Sequence, residues 1–207
     1  RLLDSYPDLM VFYNGPKCGA SAPDHAHLQA GTSNLVPLQT AWPRLSRNLA
    51  AVVDRGNGEG IWRVTDYPCP AFLVCSVTKA MGCRLFTELC KALPIAVGET
   101  EPMMNIVAWR GLVPRPDTGN NRQNAYLMVV LPRRKHRPDC YDARGEAQVV
   151  VSPGALDMAG LFILPRQEDF NRITPELAVG ILRELAISER QAKAVAGRLH
   201  RDGYSSA

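Results

Sequence analysis

Apolar residues in this chain gather mostly in short runs that read as strands, with one long helical stripe mid-chain and two helical signals near the end. The runs at 9–13, 26–30, 60–65, 71–77, 104–110, 125–131, 148–152 and 160–164 are rich in β-branched or aromatic residues and bounded by Gly, Pro, Asn or Asp, which predicts strands. Met81, Leu85, Phe86, Leu89, Cys90 and Leu93 recur at helical spacing; Thr78 caps that helix and Pro94 stops it. Later, Thr174-Pro175-Glu176 combines a cap, a proline at the first helical position and an early acid. Ser188-Glu189-Arg190-Gln191 reads as a capping box for a helix running to about Leu199. These last two helices are expected to pack as a small hairpin appended to the strand-rich body. The chain then divides into a domain over 1–172 and a helical extension over 173–207. Residues 33–57, interrupted by Pro37 and Pro43, suit a covering loop, and Gly56-Asn57-Gly58-Glu59-Gly60 suits a tight hairpin turn. Trp62 and Trp109 fall on predicted strands and belong to the core. Strands outnumber helices, and the helices are too unevenly spaced for βαβ alternation. The fold class is therefore α+β with a mainly antiparallel sheet.

Composition narrows the function classes. At 207 residues, 46% hydrophobic and 21% charged, the chain has the makeup of a folded globular protein, which sets aside disordered and fibrous classes. No run approaches the roughly 18 apolar residues that a membrane-spanning helix needs, so no membrane partner is expected. With 24 Lys+Arg against 20 Asp+Glu, the net charge of +4 is too mild for a nucleic-acid binder and compatible with a local anion site. None of Cys18, Cys69, Cys75, Cys83, Cys90 and Cys140 forms a C-x-x-C pair, and several lie inside apolar runs. That usage fits buried free thiols in a reducing, cytoplasmic compartment. The opening Arg1-Leu2-Leu3-Asp4 lacks the basic-then-apolar start of a signal peptide.

The candidate chemistry lies between Asn14 and Gln29. Two of the four histidines, His25 and His27, sit two apart, and Gln29 follows at the same interval. On a strand this spacing puts all three on one face, with Ala26 and Leu28 expected behind them. The preceding loop holds Gly15, Lys17, Gly19, Ala20 and Ser21; small residues let backbone N–H groups approach an anion closely. Imidazoles beside an anion-holding loop suit covalent phosphoryl or nucleotidyl transfer, in which a neutral ring nitrogen attacks phosphorus while fixed donors hold its oxygens. An H-x-H pair also suits zinc, but the third ligand is lacking: Asp24 points the wrong way and Cys18 is on the loop. Arg133-Arg134-Lys135-His136-Arg137 fits either a solvated turn or a turn that binds substrate phosphate. With no aromatic residues interleaved, it does not read as a nucleic-acid site.

Gly19-Ala20-Ser21 leading into His25-x-His27-x-Gln29 resembles the H-x-H-x-Q branch of the histidine-triad superfamily. That branch includes galactose-1-phosphate uridylyltransferase, diadenosine tetraphosphate phosphorylase and the GDP-hexose phosphorylases. The likeness is nearest to an uncharacterised bacterial family with this motif set. Further segments occur in the family order: Thr65-Asp66-Tyr67-Pro68, Asn124-Ala125-Tyr126-Leu127-Met128 through Leu131-Pro132-Arg133, and Ser152-Pro153-Gly154-Ala155 through Asp169-Phe170. Together they span most of 9–172. The resemblance implies a histidine-triad-like sheet with flanking helices and a nucleotidyltransferase or phosphorylase acting through a covalent nucleotidyl-histidine. His27 matches the nucleophile, His25 the residue that supports its ring, and Gln29 the amide that contacts the phosphoryl group. Asn14 and Ser21 match phosphate contacts, and Lys17, Gly19 and Arg133 complete the expected phosphate site. Ala22 stands where diadenosine phosphorylases carry Gln, which points away from that substrate.

The implied partners are a nucleotide or nucleotide-sugar with inorganic phosphate or a sugar phosphate as acceptor. No cofactor is implied, and a structural or substrate-associated divalent metal stays open. Family members carry a sizeable segment before the motif, supplying half the sheet and much of the base pocket. Here the motif lies within the first 30 residues, which suggests a fragment, a half supplied from elsewhere, or a trimmed fold. A catalytically inactive nucleotide-binding module of the same fold is the alternative function. A triad-type hydrolase is disfavoured because Gln29 has no titratable proton for a leaving group.

Overall fold

A computed structural model describes residues 2–20, 26–114 and 123–204. Its strands are β1 (Leu9–Asn14), β2 (Leu28–Thr32), β3 (Leu49–Asp54), β4 (Gly60–Val64), β5 (Phe72–Ser76), β6 (Met104–Leu112) and β7 (Asn124–Pro132). Its helices are α1 (Leu2–Ser5), α2 (Pro37–Thr40), α3 (Trp42–Leu45), α4 (Lys79–Ala92), α5 (Asp139–Asp142), α6 (Ala155–Met158), α7 (Gln167–Arg172), α8 (Pro175–Leu185) and α9 (Glu189–Tyr204). The strands form one antiparallel sheet in the order β2-β1-β6-β7-β5-β4-β3, so the fold is α+β as its pattern predicts.

The central strands are apolar on both sides because both faces are covered. Every residue of β5 is buried. On one face Leu73, Leu127, Val129, Val107 and Phe12 pack with α8 and with Val36 to Leu45. On the other, Phe72, Val74, Val130 and Ile106 pack beneath Leu85 and Leu89 of α4 and Val195 and Leu199 of α9. Trp62 and Trp109 are both core residues, and Trp109 meets Trp42 edge-on at 5.2 Å.

Three expectations give way here. The terminal helices do not form an appended hairpin. Ile181, Leu182 and Leu185 of α8 belong to the first core, whereas α9 packs on α4 and β3 across the sheet. Their link passes the end of β7, where Arg134 N–H donates to the Leu185 carbonyl and Ile187 N–H to that of Pro132. The stretch read as a covering loop holds two short helices, each with proline in its first turn, and then the strand β3. Proline costs nothing at that helical position, which is why Pro37 and Pro43 do not break the structure. Finally, 148–152 and 160–164 are not strands. Carboxylates replace ladder partners there: Val150 N–H donates to Asp169 and Ile163 N–H to Asp157.

The hairpin turn at Gly56 is as expected, with positive φ at Gly56 (83°), Asn57 (51°) and Gly58 (76°). All six cysteines are free. Among the described residues no helix is long and apolar enough to cross a membrane.

Candidate active site

β1 and β2 pair so that Phe12 faces Gln29 and Tyr13 faces Leu28. Cross-strand partners share a face, so Gln29 lies on the face of Phe12, as does Asn14 two residues on. The pairing ends at Tyr13 and Leu28, so His27 lies outside the strand, one residue before β2. The expected burial of Ala26 and Leu28 does not occur: Ala26 is exposed and Leu28 is 73% exposed. The reason is that β2 is the sheet edge. His25 and Ser21, the two remaining motif residues, lie outside the described residues.

Beneath this edge a polar network, exposed at Gln29 and buried at Asn105 and Arg133, joins three distant segments. Asn14 Nδ2 donates to Gln29 Oε1 at 3.3 Å. Asn14 Oδ1 accepts from Asn105 Nδ2 at 2.9 Å and from the Ala155 N–H at 2.6 Å. Asn105 Nδ2 also donates to the Cys18 carbonyl at 2.8 Å, holding the loop at 15–20. Arg133 Nη1 donates to Asn105 Oδ1 at 3.1 Å and to the Pro153 carbonyl at 2.5 Å. Its Nη2 donates to the carbonyls of Lys135 and His136.

Arg133 is only 2% exposed, so its guanidinium is committed to these carbonyls and does not contact substrate phosphate as expected. Burial pulls its pKa below the ordinary guanidinium value. Its hydrogen-bond partners among the described residues are neutral oxygens, and the buried Asp157 carboxylate, bonded instead to the Gly154 and Ile163 N–H groups, offsets its charge only from nearby. Burial is what makes that charge felt, since water screens it little.

The loop at 15–20 rests on the turn at 153–154. Gly19 has φ of 82°, and a Cβ there would lie 2.6 Å from Gly154 Cα. Lys17 also takes positive φ, 58°, and its ammonium pairs with Glu99 at 2.5 Å. Glu99, in the loop before β6, thus tethers the cation of the loop at 15–20. Burial pushes the Cys18 thiol up to about 11, so it stays neutral near pH 7. The basic run after β7 is mostly consumed internally. Lys135 pairs with Asp139 and Glu184, Arg134 Nε donates to the Glu184 carbonyl, and Arg137 stacks over Tyr141. His136 remains exposed, near enough to Arg137, Arg133 and Lys17 for their charges to add to desolvation in lowering its pKa.

The structure thus joins Asn14, Gln29 and Arg133 in one network, with Gly19 in the loop that Asn105 holds and His27 just before β2, and adds Asn105 and Ala155, which residue type alone did not single out. Asn105 carried one visible signal: a polar residue inside the apolar run of β6. A buried carboxamide in a central strand must find partners.

Among known proteins, the family described as a domain of unknown function (DUF4922) matches residues 1–32, which contain β1, the loop and β2. No curated protein and no solved structure matches the chain. What stands defined is the class: an α+β protein with one seven-stranded antiparallel sheet and a polar, cation-backed site at its β1–β2 edge.

Proposed function

We propose that this chain is a histidine-triad-like nucleotidyltransferase of the phosphorylase type, acting on a nucleotide or nucleoside diphosphate-sugar. The observation that carries the reading is that Gln29, Asn14 and the loop at 15–20, contiguous in the motif, share one hydrogen-bonded network underlain by the Arg133 charge. That arrangement favours an anion next to His27. In the first step the lone pair of a His27 ring nitrogen attacks the α-phosphorus. The bond from phosphorus to the bridging oxygen breaks, and the leaving phosphate or sugar phosphate departs with that electron pair. In the second step an oxygen of inorganic phosphate or a sugar phosphate attacks the same phosphorus and the P–N bond returns its electrons to the ring. Gln29 and the loop amides hold the non-bridging oxygens, whose charge rises in each transition state.

Incubation with a panel of nucleoside diphosphate-sugars and diadenosine tetraphosphate, followed by intact mass measurement, tests this. The expected result is a gain of one nucleoside monophosphate that disappears on adding inorganic phosphate. Binding without any adduct would instead identify a nucleotide-binding module.

A further inference from the structure

We propose, building on the reading of this face as a phosphoryl-transfer site, that Arg133 and Asn105 are positioning residues that give direction to a relay, Arg133–Asn105–Asn14–Gln29, so that Gln29 turns its NH2 group outward and selects an oxyanion ligand. The direction follows from donor and acceptor chemistry alone. A guanidinium can only donate, so the Asn105 atom 3.1 Å from Arg133 Nη1 is the carboxamide oxygen. Its NH2 group is thereby turned to the Asn14 side chain and the Cys18 carbonyl, and a carbonyl can only accept. Asn14 must then present oxygen to Asn105, and the backbone N–H of Ala155, 2.6 Å from the same atom, imposes the same choice.

Turning Asn14 over would set its NH2 against two donors. Its nitrogen is left facing Gln29, which answers with Oε1 at 3.3 Å. Gln29 Nε2 is the remaining end of that amide. The outer link is the longest and is exposed, so its direction is borrowed from the buried ones.

A carboxamide free to rotate would accept from a ligand as readily as donate to it. Held this way, Gln29 turns two hydrogens outward toward a phosphoryl oxygen, while its own oxygen faces Asn14. The arrangement spans residues 91 apart for Asn14 and Asn105 and 28 apart for Asn105 and Arg133, so it forms only when the sheet does.

Side-chain NH2 hydrogen exchange in the ligand-free full chain, read from assigned nitrogen–proton spectra, tests the direction without any variant. The NH2 groups of Asn14 and Asn105 are expected to be protected and that of Gln29 to exchange as a solvent-facing amide. A protected Gln29 NH2 with an unprotected Asn14 NH2 would mean the relay runs the other way and would overturn the proposal. Asn105→Asp is the second arm. Its carboxylate still accepts from Arg133 but sets an oxygen against Asn14 Oδ1 and the Cys18 carbonyl, so the relay is cut, and circular dichroism checks that the variant folds. Exchange of the Asn14 NH2 is then expected to rise by on the order of tenfold. Inorganic phosphate, which should shift the Gln29 NH2 signals of the unaltered protein, should no longer do so. Unchanged Asn14 exchange in a folded Asn105→Asp protein would also refute the relay. If the exchange pattern holds but no nucleotide adduct ever forms, the relay stands and the transferase reading fails.

Discussion

Gly19 is where the loop at 15–20 depends on a single missing side chain. Its φ of 82° and its contact with Gly154 both require hydrogen in place of Cβ. Gly19→Ala must bear about 1–2 kcal/mol for the left-handed backbone alone, and more for pushing the loop off 153–154. A fall in Tm together with loss of phosphate binding is expected; a variant with unchanged Tm would show that the loop does not rest there.

His136 gives the site a pH signature. Partial desolvation and the surrounding cations hold its imidazole below the ordinary value, so the folded protein resists protonation that the unfolded chain accepts. Folded stability is therefore full above about pH 6.5 and declines as the pH falls below it. His136→Asn should flatten that decline, as read from Tm between neutral and acid pH. Identical acid profiles for the two proteins would place the charges elsewhere. Of the site residues, Asn14 and Gln29 were legible because their motif is local. Asn105 was not, because its partner Asn14 is 91 residues away and only the sheet register joins them.

At the scale of elements, the caps were the surest signals. Thr174 accepts from the Leu177 N–H, and Ser188 accepts from the Gln191 N–H while Gln191 accepts from the Ser188 N–H. Such bonds join near neighbours, so sequence spacing alone predicts them. Removing one hydroxyl with Ser188→Ala should cost about 1 kcal/mol and lower Tm by roughly 2–4 °C. No shift would mean that tertiary packing alone holds the start of α9. The misread strands have a different cause. Apolar periodicity marks burial and not ladder pairing, so Val149 and Val151, both buried, gave a strand signal in a segment whose amides bond to a carboxylate and nearby carbonyls. For β3 the reverse held: two prolines upstream outweighed a short apolar run at the sheet edge.

Across the whole molecule, α8 and α9 close opposite faces of one sheet, and the connection between them braces the end of β7 next to Arg133. Stability and site are coupled through that strand end. Cutting the chain after residue 172 would uncover Leu73 and Leu127 on one face and Leu85 and Leu89 on the other. The shortened protein should lose its cooperative thermal transition in circular dichroism. A truncated chain that melts cooperatively would restore the picture of an independent helical extension.

Peptide mapping of the trapped adduct tests the proposed nucleophilic imidazole of His27 at the edge of this sheet. After incubation with the nucleotide-sugar panel and quenching without acid, a nucleoside monophosphate is expected on His27. His27→Ala should lose the adduct and slow turnover by on the order of a thousandfold or more. A monophosphate found on His25, an adduct that persists in His27→Ala, or no adduct with any donor would rule out His27 as the nucleophile.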